Sequence, residues 1–266
     1  MKPGLGTLGL RLLTGLCLGL LAVLLLLPVI ALILRVPSGE LFTRLGDPIV
    51  RQALVLSLEA SLSATVIVIL LGLPAAYLLA TRDFPGKRVV EVLADLPMVL
   101  PPTVSGLALL LAFGRVGLLG HSLGLLGISL PFTTAAVVVA QAFMAAPFFL
   151  APVRAGFAAV ESRYREVAAT LGASERYTFF HVLLPLSWRA LVAGTAMSAA
   201  RALGEFGATI TFAGNLPGVT QTMPLAVYLE LQNDLEAAVA LSVLLLCVSF
   251  GLLLALRSAR LGARFL

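Results

Sequence analysis

Charge is scarce in this chain. Asp, Glu, Lys and Arg make up 12% of the sequence against 60% hydrophobic residues, too little to clothe the surface of an ordinary soluble domain, where charge runs near ~25%. Cysteine is scarcer still: Cys17 and Cys247 both fall inside long apolar runs, which excludes a disulfide framework and leaves inert packing as their role. His121 and His181 stand far apart without ligand spacing, so neither a metal site nor a resident cofactor is expected. Lysine occurs only as Lys2 and Lys87, and Lys87 lacks the upstream glycine and the following Ser or Thr of a phosphate loop. The chain is therefore expected to hydrolyse no nucleotide itself. No Ser/His/Asp, Cys/His or metal constellation converges on an enzyme site. Basic residues interleaved with aromatics are missing, which argues against nucleic acid, and strand-period alternation is missing, which argues against a β-barrel.

What is abundant is uncharged apolar sequence. Runs recur at 12–34, 60–81, 96–114, 122–153, 206–229 and 237–256, and mean hydropathy is +1.06. A hydrocarbon core about 30 Å thick takes ~20 such residues to cross as helix. The expectation is an all-α polytopic membrane protein, one transmembrane domain over 1–266, with spans near 12–34, 53–81, 93–114, 132–156, 189–213 and 235–256. The first run exceeds the ~7–15 residues of a signal h-region and is followed by no Ala-x-Ala site, so it reads as a retained span. Of the 18 Lys and Arg residues, Arg35, Arg44, Arg51 and Arg115 fall on one side and Arg201 within a span, leaving thirteen on the side of the termini. The positive-inside bias then places both termini in the cytoplasm, and the formal charge of +5 reflects orientation in the bilayer.

The segment 157–188 is the large cytoplasmic loop. Glu161 to Leu171 favours helix, Gly172 suits a left-handed cap, Ser174 can cap a second helix, and Pro185 suits the first turn of the next span. Ala168, Ala169, Gly172 and Ala173 leave little bulk at the turn, while Glu161, Arg163, Arg165, Glu166 and Arg176 supply a polar rim. A solvated connector is the plain alternative, but a loop this long without work to do is uncommon.

The spacing of Glu166, Ala168, Gly172, Val182, Leu184 and Pro185 resembles the EAA loop of ABC importer permeases. The resemblance extends through Leu56-Ser57-Leu58, Pro74-Ala75-Ala76-Tyr77 and Phe84-Pro85-Gly86-Lys87. The stretch from Leu96 to Gly106 looks like the third-span signature of the oxyanion-importing branch. Ala200 to Thr209, Ala213 to Gly218 and Thr220 to Leu225 are similar to molybdate/tungstate permeases. One departure is Val167, where that family has Ala. The resemblance implies a type I ABC importer permease fold of six transmembrane helices in the cytoplasmic membrane, surrounded by membrane lipid. It implies a homodimer, two cytoplasmic ABC ATPase subunits, and an extracytoplasmic oxyanion-binding protein. It also implies that Glu161, Arg163, Tyr164, Glu166, Ala168, Ala169, Gly172, Ala173, Ser174 and Arg176 couple to the ATPase. Sulfate is the nearest alternative cargo. A proton- or sodium-coupled transporter, which would need Glu205 or Asp95 as an exchangeable acid, is the alternative from another class.

Two places inside the membrane carry polar chemistry. Arg201 and Glu205 are four residues apart on one helical face, and Arg201 lies about 18 Å from Arg189 along the helix, where an arginine costs roughly 2.5–3.5 kcal/mol. The pair is either a structural brace or a source of positive potential for a dianion. Pro97, Pro101 and Pro102 interrupt span three beside Thr103, Ser105 and Gly106; this is either a gate or a kink with hydroxyls bonded back to their own helix. Thr209, Thr211, Asn215 and Gln221 complete the candidate pathway as weak neutral donors, suited to cargo that must also leave.

Overall fold

A computed structural model of the chain describes residues 5–36, 39, 41 and 45–262. Lys2, Arg44 and Arg264, used above to orient the chain, lie outside them, and for Arg257 and Arg260 only the backbone is described. The described residues form helices and connecting turns, with no strand among them.

Helix α1 (Leu5–Leu34) is followed by α2 (Pro48–Thr81), which starts where the Asp47 side chain accepts the Ile49 amide at 2.8 Å and Pro48 fills the first turn. A tight turn with Gly86 at φ +85° leads to α3 (Lys87–Val99). α4 (Pro102–Phe113), α5 (Gly120–Leu125) and α6 (Thr134–Ala158) follow, the last capped by the Thr133 hydroxyl accepting the Ala136 amide. Then come α7 (Ser162–Thr170), α8 (Glu175–Leu186), α9 (Trp188–Leu203), α10 (Gly207–Ala213), α11 (Met223–Asn233) and α12 (Leu235–Gly262).

Among the described residues four helices are long and apolar enough to cross a bilayer, α1, α2, α6 and α12, with up to six spans if the bent pairs α3–α4 and α8–α9 each count as one. The stretch 93–114, expected as one span, is divided between α3 and α4 at an angle of 119°. The break falls at Leu100 and Pro101, which are extended, because Pro101 and Pro102 have no amide proton to continue the α3 ladder. The stretch 189–213 is divided as well: α9 ends at Leu203, and α10 begins only at Gly207. Pro185 does not open the following span. It closes α8, where Phe179–Leu183 is wound as π-helix and the Leu184 amide reaches back to the Phe179 carbonyl. Widening the turn relieves the clash that the proline ring would make with the carbonyl four residues back. The chain then bends by 73° at Ser187 into α9.

Small residues set the packing. Ala60, Ala64, Ala136, Ala140, Ala145 and Ala202 are buried where α2, α6 and α9 cross. At Gly156 an added Cβ would lie 2.3 Å from the Ala190 Cβ, so α6 and α9 touch almost backbone to backbone; with lipid as solvent, such close approach is what holds helices together. The helix ends sort into two poles. Arg154 pairs with Glu91 and Asp95, Lys87 with Asp83, and Arg82 with Glu175 at one pole. Val50 and Ala53 meet Met223 and Leu241 at the other.

Candidate functional site

The elbow between α6 and α9 forms with the caps its sequence predicts. Gly172 sits at φ +78°, its amide bonds to the Ala169 carbonyl, and the Ala173 amide bonds to the Ala168 carbonyl at 2.9 Å, closing α7. The Ser174 hydroxyl accepts the Tyr177 amide at 3.2 Å and opens α8. Glu161 and Arg163 pair at 2.7 Å on the exposed entry to α7. The elbow sits at the basic pole, tied to the end of α2 by the exposed Arg82–Glu175 pair.

The ten elbow residues singled out from sequence divide between the two faces of α7. Arg163, Tyr164, Ala168, Gly172, Ala173 and Ser174 border an open apolar groove of about 850 Å³ on the outward face. Glu166 and Ala169 face a cavity of about 340 Å³ between α7 and the end of α2, which Ala173 also borders. Glu161 and Arg176 are solvent-exposed beyond both. Sequence reasoning missed how apolar the outward face is: Val167 and Leu171 are 58% and 81% exposed, and Tyr177 joins them in the groove. The spacing Tyr164, Val167, Leu171 follows one helical face and was the available signal. Val167 is therefore part of this exposed stripe.

The second site is the pair of broken helices. α4 and α10 pack with glycines in the contact: a Cβ on Gly106 would lie 2.7 Å from the Ala208 carbonyl oxygen, and one on Gly207 would lie 2.6 Å from the Pro102 Cβ. Glu205 stands in the gap between α9 and α10, fully buried. Its Oε1 accepts the Ala208 amide at 2.8 Å, and its Oε2 lies 2.5 Å from Arg201 Nη1. The expected pair is present, but Glu205 is beyond the end of the helix that carries Arg201, so it joins two half-helices. The Arg201 guanidinium also lies over the Phe148 ring.

The other pathway candidates do not converge. Pro101 and Thr103 are exposed, whereas Ser105 and Thr209 are buried with no partner for their hydroxyls. Ser105 is thus not bonded back to its own helix, as the plain kink would have it. Thr211 is, donating to the Gly207 carbonyl at 2.9 Å. Asn215 keeps its carbonyl oxygen buried without a donor, and Gln221 is buried. Asp95 is drawn into the ion pair with Arg154. Gln141 and Ser198, not singled out from sequence, are also buried without partners. Among the described residues no group of His, Cys, Asp or Glu could hold a metal ion.

Residues 69–263 match the family model described as binding-protein-dependent transport system inner membrane component. The chain belongs to that family. It is a multi-pass inner-membrane transport component, all-helical, with the type I ABC importer permease fold. It is 44% identical over 84% of its length to the molybdenum transport system permease protein ModB of Mycobacterium bovis, covering 84% of that protein. The ModB protein of Escherichia coli K12 is 40% identical over 68% of this chain and 80% of its own length. A probable sulfate transport system permease protein of Chlorokybus atmophyticus is 34% identical over 86% of this chain and 82% of its own. In three dimensions the chain is similar to a subunit of a bacterial ABC transporter involved in alginate import, with a TM-score of 0.78, 13% identity and 96% of both chains covered.

Proposed function

We propose that this chain is the membrane-spanning subunit of an ATP-driven importer of molybdate, with tungstate as co-substrate. It works as a homodimer with two cytoplasmic ABC ATPase subunits, which hydrolyse the ATP, and an extracytoplasmic binding protein that delivers the anion. The observation that carries this reading is the elbow: a capped two-helix corner at the basic pole that presents an apolar groove of about 850 Å³ outward. A groove rimmed by Arg163 and Ser174 and floored by Ala168 and Gly172 fits a helix or loop of another protein. ATP draws the two partner subunits together, the 161–180 corners move with them, and the spans change from inward-open to outward-open. The broken helices α4, α9 and α10, with Thr103 exposed and Arg201 largely buried beside Glu205, line the route of the anion. Pro101, Ser105, Glu205, Thr209, Thr211 and Asn215 shape that route from behind.

Molybdate is favoured over sulfate by the higher identity to proteins named for molybdenum transport, 44% against 34%. Sulfate is kept as the second reading because a tetrahedral dianion of similar charge uses the same donors. The test is co-purification with a candidate ATPase, then uptake of radiolabelled molybdate and sulfate into vesicles. ATP-dependent molybdate uptake, diluted out by unlabelled molybdate but not by sulfate, is the expected result; uptake without any bound ATPase would overturn the proposal.

A further inference from the structure

The geometry points to an aromatic node, Tyr77, Phe157 and Phe179, as the joint through which movement of the elbow reaches the membrane spans. This inference rests on the proposed coupling to an ATPase and adds which residues carry the motion.

Helix α7 is poorly placed to push on the spans itself. Its main packing is against α8; only Ala168 on it is buried, and the 340 Å³ cavity separates it from Tyr77, Thr81 and Arg82 at the end of α2. A load on α7 therefore meets open space before it meets a span. The Arg82–Glu175 pair bridges that space, but its side chains are 54% and 77% exposed. An ion pair so solvated holds its partners weakly and is a poor lever.

The stiff connection lies one turn further along α8. The Phe179 ring is 4.9 Å from that of Tyr77 on α2 and 6.0 Å from that of Phe157 on α6, and the Tyr77 and Phe157 rings are 5.9 Å apart, edge to face. Phe157 and the neighbouring Leu183 are 2% and 1% exposed, and Val68 and Phe149 extend the same cluster along α2 and α6. Interlocked rings in a close-packed cluster resist sliding and transmit displacement. Phe179 is also the first residue of the π-wound segment, and one-turn π insertions in helices recur at functional sites. The node thus ties α8 to α2 and α6, the two spans that pack most closely in the core, with Ser187 as the bend that follows.

The test uses the assembled complex of this chain with its ATPase in vesicles, reading ATP hydrolysis and radiolabelled molybdate uptake side by side. Phe179→Leu keeps apolar bulk and removes the ring. The complex is expected to co-purify with the ATPase and hydrolyse ATP at the unaltered rate, while anion moved per ATP falls about tenfold. Tyr77→Leu, changed from the α2 side, is expected to do the same, and the double variant to cost no more than either alone. Phe179→Tyr is expected to restore coupling, and Arg82→Ala to leave it intact. The node is refuted if Phe179→Leu and Tyr77→Leu keep normal transport per ATP, or if hydrolysis and transport fall together in both. An unaltered complex without ATPase would instead overturn the functional proposal beneath it.

Discussion

Glu205 holds a backbone amide with one oxygen and a cation with the other, and its loss should be felt at both. The carboxylate accepts the Ala208 amide and faces the Arg201 guanidinium from a fully buried position. Glu205→Ala leaves a largely buried cation without its counter-charge, a change that costs about 3–5 kcal/mol in buried pairs. Glu205→Gln can still accept from Ala208 and should cost less. Unfolding of the detergent-purified protein by denaturant titration reads the order, and equal loss in the two variants would refute it. Gly172 makes the opposite kind of prediction. Nothing lies within 4 Å of a Cβ added there, so only its φ of +78° opposes a side chain. Gly172→Ala should add about 1–2 kcal/mol of backbone strain, seen as faster amide exchange in α7 with unchanged protection of α2 and α6. Gly172→Trp should in addition fill the outward groove and prevent co-purification with the ATPase.

At the scale of elements, half-helices distinguish this fold from a plain six-helix bundle, and they were legible to different degrees. The break after α3 is written in the sequence, because Pro101 and Pro102 forbid continuation. The break after α9 is not: Gly204 alone is tolerated in many helices, and the chain opens there because the Glu205 side chain takes the Ala208 amide. The four-residue spacing of Arg201 and Glu205 predicts one helical face, whereas Arg201 lies on α9 and Glu205 in the gap beyond its end. The caps at Gly172 and Ser174 follow from local chemistry and form as expected, whereas Pro185 closes a π-wound helix, a state decided by the ring contacts of Phe179 as much as by the proline. The α4–α10 contact gives a sharp prediction: Gly106→Val must displace the Ala208 carbonyl and Thr211 Cβ, each 2.7 Å from the added Cβ. Overpacking of this kind costs about 1–3 kcal/mol. Gly124→Ala, with nothing within 4 Å, is the matched control, and thermal unfolding compares the two.

For the whole molecule the prediction concerns the energy source. Glu205 and Asp95, the two acids that an ion-coupled mechanism would need, are both held in ion pairs, with Arg201 and Arg154. Vesicles holding the chain without its ATPase should show no molybdate uptake when a proton or sodium gradient is imposed, and the assembled complex should take it up only with ATP. Gradient-driven uptake would remove the case for a borrowed energy source. Arg82, Lys87 and Arg154 gather beside the elbow.

The all-helical class, the long apolar helices and the capped two-helix corner were determined by composition and local turn chemistry, because those depend on residues within one helical turn of each other or on summed hydropathy. What the tertiary structure alone decided depends on groups far apart in the chain. It set which face of α7 is apolar groove and which is cavity. It showed that Ser105 and Thr209 are buried while Thr103 is exposed, and that Tyr77, Phe157 and Phe179 interlock. No local signal encodes these, since each is a matter of how closely α2, α6, α8 and α10 approach, and that distance is fixed by small residues meeting across the whole bundle.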